Sequence, residues 1–200
     1  MTDGLVWYVA YGSNMVADRL RAYLEGVAGP PVDLAPPPAG ALAPGDLGAR
    51  FGAHRGCADP TLPRADRWLT LDRAVTYRGM SRRWGGGVAF LDLEPSPGAA
   101  TPARAWLLGL DQVAELMAQE ARLAVAPEPT ALVAIAPGDT LRLGGGWYDT
   151  VLRLADLDGT PALTVTTAQD QPEVPPTPAY LATVAAGLAE RLRAGGGGPT

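Results

Sequence analysis

The sequence contains few residues suited to metal binding or nucleophilic catalysis. Among its 200 residues is one cysteine, Cys57, which excludes an internal disulfide and a zinc site of the CxxC type. There is also one histidine, His54, which excludes a histidine-rich metal centre and argues against a Ser-His-Asp triad. We therefore expect no metal site. The two residues lie close together in a Gly/Pro-rich loop, so a Cys-His dyad stays open, although such dyads are normally assembled from distant segments.

Lysine is absent, and all 16 basic residues are arginine. The net charge is -5 with a pI near 4.8, and no arginine cluster forms a continuous patch. This charge balance argues against a nucleic-acid partner or an anionic membrane surface. No stretch approaches the roughly 18 apolar residues of a transmembrane helix, and the N-terminus lacks the pattern of a secretory signal. We therefore expect a soluble, cytoplasmic protein.

The composition is typical of one compact domain. Hydrophobic residues make up 47% of the chain and charged residues 18%, which allows a real core and does not suggest disorder. We expect a single domain over residues 1–194 and a flexible tail over 195–200. Within the domain, residues 28–66 are rich in Pro and Gly, and a loop of this length either has a function or wraps the surface.

Hydrophobic patterns predict many short strands and few helices. Helices are predicted at residues 18–24, at Gln112–Leu123 after an Asp111 cap, and from Pro178 to about Arg193 after a Thr177 cap. After a first strand that ends near Tyr11, further strands are predicted at Trp68–Leu71, Ala74–Tyr77, Val88–Leu93, Arg104–Leu110, Ala131–Ile135, Thr140–Leu143, Thr150–Leu154 and Ala162–Thr166. This pattern favours an α+β fold with a closed or strongly curved sheet and helices packed outside it.

The first strand stops at Tyr11, Gly12, Ser13 and Asn14, a segment that we call the exit loop. A Gly-containing turn between a strand and a helix leaves backbone N–H groups without partners, and such a turn can close around an oxyanion or a carboxylate. Neither P-loop spacing nor G-x-G-x-x-G follows the strand, which excludes the usual phosphate loops. The alternative is a plain tight turn. Ser13 is not expected to be a nucleophile, because the chain has one histidine and no G-x-S-x-G elbow.

Glu120 occupies an unusual position in the second predicted helix. The apolar residues Val113, Leu116 and Met117 form the stripe that faces the core, and Glu120 follows seven residues after Val113 on the same stripe. A carboxylate directed inward is costly unless it is paired or hydrogen-bonded, and a sheltered carboxyl group suits general acid/base chemistry. The alternatives are a buried ion pair with an arginine, or a frayed helix end at which Glu120 reaches water.

Four motifs in the same order resemble the γ-glutamylcyclotransferase-like family. The exit loop is similar to the family signature after the first strand. Trp84-Gly85-Gly86-Gly87-Val88-Ala89 resembles its Trp/Gly-rich entry to a central strand. Gln119-Glu120 ends a helix that follows the strand Ala105–Leu110, as the catalytic glutamate of the family does. Pro175-Pro176-Thr177-Pro178-Ala179-Tyr180 resembles the lead into a helix with an active-site tyrosine.

The resemblance implies a mixed β-barrel flanked by helices and a reaction without a cofactor. In that reaction a small γ-glutamyl amine, amide or peptide cyclises to 5-oxoproline and releases its amine. Glu120 would be the general acid/base, and Tyr11, Gly12, Ser13 and Asn14 would hold the glutamyl group. Tyr180 would add its hydroxyl to the site, and Trp84 and Gly85 would contact the substrate. The alternative for Trp84 and the glycines after it is a β-bulge, which is the commoner role of a Gly-rich strand segment.

Two features depart from the family pattern. Ala121 and Arg122 follow Glu120 where the family has a glycine, and the 28–66 segment is long. Both features bear on the substrate, so the identity of the leaving amine stays open. The sequence does not indicate the oligomeric state. The alternatives are a maturation or deprotection enzyme for a γ-glutamylated metabolite and a non-catalytic small-ligand or protein-binding module on the same fold. An idle buried carboxylate would cost stability, which argues against the binding module.

Overall fold

The computed structural model describes residues 4–30, 47 and 51–195, with the backbone alone for 193–195. Much of the predicted 28–66 loop, namely residues 31–46 and 48–50, lies outside the described residues, and so does the tail from residue 196 onward. Residues 51–66, the described C-terminal part of this segment, are not all loop. Val27 and His54 form an antiparallel bridge, and a strand begins at Ala65.

The described residues form eight strands. They are β1 (Leu5–Ala10), β2 (Ala65–Leu71), β3 (Val75–Ser81), β4 (Gly86–Leu91), β5 (Thr101–Gly109), β6 (Thr140–Arg142), β7 (Thr150–Leu157) and β8 (Thr160–Thr166). Six of them form one sheet in the order β2-β5-β1-β8-β7-β6, and β3 and β4 form a separate antiparallel hairpin. In the larger sheet β1 pairs antiparallel with β5 and parallel with β8, so the sheet is mixed, as predicted.

The predicted closed barrel is wrong. Within the described residues the six-stranded sheet ends at β2 on one side and at β6 on the other, and the β3–β4 hairpin is not hydrogen-bonded into it as a strand. Closure requires every strand to have two neighbours, and the strand lengths read from the sequence carry no information on that pairing. The α+β class is confirmed, because helices accompany the mixed sheet.

Four helices complete the described fold, namely α1 (Ala17–Glu25), α2 (Leu110–Glu120), α3 (Pro129–Ala134) and α4 (Pro178–Gly195), with a short 3-10 helix at Ser13–Met15. The predicted strand Ala131–Ile135 is wrong, because α3 occupies it. Pro129 stands in the first turn of α3 and Leu132 is its buried residue. A short apolar run does not by itself distinguish a strand from a buried helical turn. No described helix is both long enough and apolar enough to cross a membrane.

The two predicted helix caps differ in outcome. Thr177 caps α4, because its Oγ1 accepts a hydrogen bond from the Tyr180 N–H at 3.3 Å. The Asp111 cap is wrong, because α2 begins one residue before it, at Leu110. The side chain of Gln112 replaces it, since its Oε1 accepts from the Gly109 N–H at 2.9 Å. Asp111 instead lies in the first turn, where a negative charge suits the helix dipole.

Strand β1 is the centre of the core and is buried on both faces. Val6, Tyr8 and Ala10 pack on one side with residues of α1 and α2. Trp7 and Val9 pack on the other side with residues of the β3–β4 hairpin. This alternation follows from the period of two along a strand. The exit loop therefore leaves the sheet between the helices on one face and the hairpin on the other, where a site can form.

Candidate functional site

A cavity of about 890 Å³ opens at the end of β1. The wall is formed by the exit loop, one face of α1, the last turn of α2, the β3–β4 turn and the beginning of α4, among other segments. Of the residues predicted from the sequence, the cavity wall contains Tyr11, Gly12, Ser13, Asn14, Trp84, Glu120 and Tyr180. Gly85 lies outside the wall, in the hairpin turn, where its φ of 69° suits a glycine.

Tyr11 fixes the exit loop to strand β8, and Tyr180 packs on the loop while it is bonded to the β3–β4 hairpin. The Tyr11 hydroxyl donates to the Val165 carbonyl at 2.8 Å, and the Tyr180 hydroxyl accepts from the Ala89 N–H at 3.1 Å. Gly12 packs directly on Tyr180, since a Cβ at position 12 would lie 2.9 Å from that hydroxyl oxygen. Gly12 is therefore required for close approach and not for a left-handed backbone, because its φ is -128°.

Glu120 is the last residue of α2, is half-buried and faces the cavity. Its Oε1 accepts a hydrogen bond from the Asn14 side-chain amide at 2.5 Å. The same amide nitrogen donates to the Tyr8 hydroxyl at 3.1 Å. The backbone continues past Glu120 with Ala121 still in helical geometry, and the Ala121 N–H bonds to the Met117 carbonyl at 2.8 Å. The side chain is therefore held by an ordered helix end.

Arg19 completes this network and was not among the residues predicted from the sequence. It is only 5% exposed, and its Nε donates to the Asn14 Oδ1 at 2.8 Å. Its Nη2 donates to the Tyr23 hydroxyl at 3.2 Å. Asn14 thus joins a carboxylate on one side to a guanidinium on the other. The signal in the sequence was the spacing of Arg19 and Tyr23, which places both on one face of the helix after the exit loop.

Two further cavity residues, Arg83 and His54, were not predicted to lie beside the exit loop. Arg83 in the β3–β4 turn is 3% exposed, and its guanidinium carbon lies 5.1 Å from the centre of the Trp84 ring. Burial and the nearby Arg19 lower the pKa of Arg83 to about 10. His54 is 7% exposed and lies edge-on to Tyr23, with 4.3 Å between the ring centres. No local pattern in the sequence links these residues to the exit loop.

The hydrogen bonds of His54 and Cys57 do not match a Cys-His dyad. The His54 Nδ1 lies 3.0 Å from the Gly52 carbonyl, to which it donates. The Cys57 thiol donates to the carbonyls of Tyr23 and Gln112 at 3.6 Å and 3.8 Å. Burial and the neighbouring Glu115 raise the pKa of Cys57 to about 12, so the thiol stays protonated at neutral pH.

His54 should make the stability of the protein depend on pH. Burial, followed by the charges of Arg19 and Arg83, lowers its pKa from 6.5 to about 4. Between these two values the unfolded chain binds a proton that the folded chain does not, so stability falls as the pH falls from 6.5 towards 4. We expect His54→Phe to weaken this dependence by roughly 2–3 kcal/mol between pH 7 and pH 4.5. Urea unfolding of both proteins at the two pH values measures it.

His54 is the one histidine of the chain, so subtracting the two proteins removes the common contribution of the carboxylates. The phenyl ring of the variant keeps a ring contact with Tyr23. Equal pH dependence in the two proteins would show that His54 titrates normally in the folded state.

The tyrosines of the cavity wall are neutral hydrogen-bonding groups at physiological pH. Burial raises the pKa of Tyr180 to about 12 and raises those of Tyr8 and Tyr148 well above the usual value. The Tyr148 hydroxyl donates to the Ala89 carbonyl at 2.8 Å. Within the described residues, no three His, Cys, Asp or Glu side chains lie close enough together to hold a metal ion.

No protein-family model and no curated protein sequence matches the chain. Among solved structures, an uncharacterized protein from Homo sapiens is similar over 94% of this chain and 80% of its own, with 16% identity and a TM-score of 0.50. A solved γ-glutamyl cyclotransferase is similar over 93% of this chain and 79% of its own, with 16% identity and a TM-score of 0.48. At this identity a structural likeness speaks to the fold and not to the reaction. The chain therefore shares the fold of the human protein.

Proposed function

We propose that the protein is a γ-glutamylcyclotransferase-type enzyme. It converts the γ-glutamyl group of a small amine, amide or peptide to 5-oxoproline and releases the amine, with Glu120 as the general acid/base. The observation that carries this proposal is the contact between Glu120 and Asn14 at 2.5 Å, because it joins the one inward carboxylate of α2 to the exit loop inside one cavity. The four sequence motifs that resemble the family support it.

The chemistry needs a carboxylate that moves protons. Glu120 accepts a proton from the α-ammonium group of the substrate, which frees the nitrogen lone pair to attack the γ-carbonyl carbon. The protonated Glu120 then donates to the departing nitrogen as its bond to that carbon breaks. A second proton leaves the new ring nitrogen and ends on the released amine, which departs as an ammonium ion. Proton transfer of this kind typically contributes about 10²–10⁴-fold to the rate.

Two other factors support the reaction. The amine and the carbonyl belong to one molecule, so a cavity that holds the glutamyl chain folded gains on the order of 7–11 kcal/mol from orientation. The tetrahedral intermediate carries an oxyanion, and the first amides of a 3-10 helix have no partner within that helix. The amides of Ser13 and Asn14 occupy those positions at the cavity wall and are suited to hold the oxyanion.

The test is an assay for 5-oxoproline over a panel of γ-glutamyl compounds. The panel contains γ-glutamyl amino acids, a γ-glutamyl alkylamine and an amide, and the released amine is quantified beside 5-oxoproline. We expect equal amounts of the two products from at least one member. A panel in which no member yields 5-oxoproline above the uncatalysed rate would contradict the proposed function.

A further inference from the structure

The charges at the cavity wall are opposite in sign to the charge of the whole protein. Five arginines line the cavity, namely Arg19, Arg55, Arg82, Arg83 and Arg122. Within the described residues Glu120 is the one acidic side chain of the wall. The chain as a whole has a net charge of -5. A concave site lined by one sign of charge concentrates ligands of the other sign, so this cavity favours an anion.

Arg19 and Arg83 are the deeply buried members of this set. Their guanidinium carbons lie 5.9 Å and 5.1 Å from the centre of the same Trp84 ring. The Nε of Arg19 donates to Asn14, and the Nη2 of Arg19 donates to Tyr23. The buried Nη1 of Arg19 has no hydrogen-bond partner in the part of the chain that the structure describes. A buried donor without an acceptor is costly, so a ligand that supplies an acceptor to the Arg19 Nη1 is stabilised there.

We propose that Arg19 and Arg83 form an oxyanion subsite at the cavity wall beside Glu120, and that it binds a carboxylate group of the ligand. A carboxylate there supplies the acceptor that the Arg19 Nη1 lacks, and its negative charge is attracted by the guanidinium of Arg83 beside the same Trp84 ring. Arginine suits this role because its planar fork binds a carboxylate through two donors.

Among the described residues, Glu120 is not the acceptor that the Arg19 Nη1 lacks. Its Oε1 is bound to the Asn14 amide nitrogen, and Asn14 stands between the carboxylate and Arg19 through its two side-chain ends. His54 adds no positive charge at neutral pH, because its pKa is about 4. The three remaining arginines of the wall, Arg55, Arg82 and Arg122, are exposed and extend the positive surface towards the solvent.

Binding of a carboxylate is tested without reference to turnover. Calorimetric titration at low ionic strength compares glutarate with glutaramide, its uncharged isostere, on the full chain. We expect glutarate to bind about ten- to a hundredfold more tightly, as is typical of charge-assisted hydrogen bonds. Arg83→Gln should remove most of this preference, and Arg83→Lys should keep part of it because it keeps the charge.

Arg64→Gln is the matched control, since Arg64 is exposed and lies outside the cavity wall. It removes one positive charge and should leave the preference for glutarate unchanged. Arg19→Gln should also lose the preference, and circular dichroism checks that each variant is folded. Equal affinity of the wild type for glutarate and glutaramide overturns the subsite. The same holds if folded Arg83→Gln and folded Arg19→Gln both keep the preference.

The identity of the carboxylate on a substrate rests on the proposed function and has its own test. γ-Glutamylalanine is compared with two derivatives, one amidated at the glutamyl α-carboxylate and one at the alanine carboxylate. The group held by the subsite is the one whose amidation raises KM about tenfold or more in the wild type and little in Arg83→Gln. If neither amidation costs the wild type more than the variant, the subsite does not hold a substrate carboxylate.

The two proposals fail separately. Glutarate binding that depends on Arg83, without 5-oxoproline from any compound, would leave the subsite standing and remove the cyclotransferase function. Turnover of a γ-glutamyl compound, with no effect of Arg83→Gln on glutarate binding or on KM, would leave the cyclotransferase function standing and remove the subsite.

Discussion

Glu120→Gln should lower 5-oxoproline release at least about 10²-fold and leave the fold intact. Glutamine keeps the shape of the side chain, and its carbonyl oxygen still accepts the hydrogen bond that the Asn14 amide donates to the Oε1 of Glu120. It does not accept a proton from the substrate ammonium, so the loss should fall on kcat more than on KM. Steady-state kinetics with the best substrate of the panel, together with a melting curve, measures both parts.

Glu115→Gln is the matched control for this change. Glu115 lies on the same helix, is half-buried, and accepts a hydrogen bond from the Ala58 N–H at 2.8 Å, outside the cavity wall. The substitution makes the same change of charge on α2 and should leave kcat and KM unchanged. Substantial turnover by the folded Glu120→Gln protein would remove the acid/base role from Glu120.

Asn14→Leu should destabilise the protein by about 2–4 kcal/mol and also remove activity. Leucine has a similar volume but neither a donor nor an acceptor. The change leaves the Nε of buried Arg19 without its acceptor and the Oε1 of Glu120 without its donor. It also removes a hydrogen bond to the buried Tyr8 hydroxyl. Urea unfolding at neutral pH gives the loss of stability, and the 5-oxoproline assay gives the loss of activity.

The comparison with Glu120→Gln separates the two effects. That variant keeps an acceptor for Asn14, so its free energy of unfolding should stay close to the wild-type value while its activity falls. Unchanged stability of Asn14→Leu would mean that the contacts of Asn14 with Arg19 and Glu120 contribute little to the folded state.

Much of the candidate site could be predicted because its elements are local. The exit loop combines a buried strand with turn residues, and the direction of Glu120 follows from its spacing to Val113 along one helix. Thr177 before Pro178 is likewise a local helix start, and the Thr177 cap is present. Local signals also failed where they were short. The run Ala131–Ile135 fits either a strand or a helical turn, and the packing of Leu132 selected the helix.

Arg83 and His54 could not be assigned to the site from the sequence, and the spacing of Arg19 to Tyr23 does not by itself show that Arg19 is buried. Arg19 stands on an amphipathic helix, where an arginine usually faces water, yet it is buried against the rings of Tyr23 and Trp84. Arg83 lies in a hairpin turn, which is an ordinary place for a charge. Their burial depends on which segments pack over them, and that packing is set by contacts between residues far apart in the chain.

The sequence by itself determined the α+β class, the exit loop after the first strand, and the stripe of α2 on which Glu120 lies. These properties depend on backbone conformation and periodicity within about 20 residues, which neighbouring side chains dictate. Only the tertiary structure decided that the sheet is open, that Asn14 touches Glu120 across 106 positions of the chain, and that two arginines are buried at one cavity. These features arise when distant elements pack together, and a period along one element carries no information about its partner.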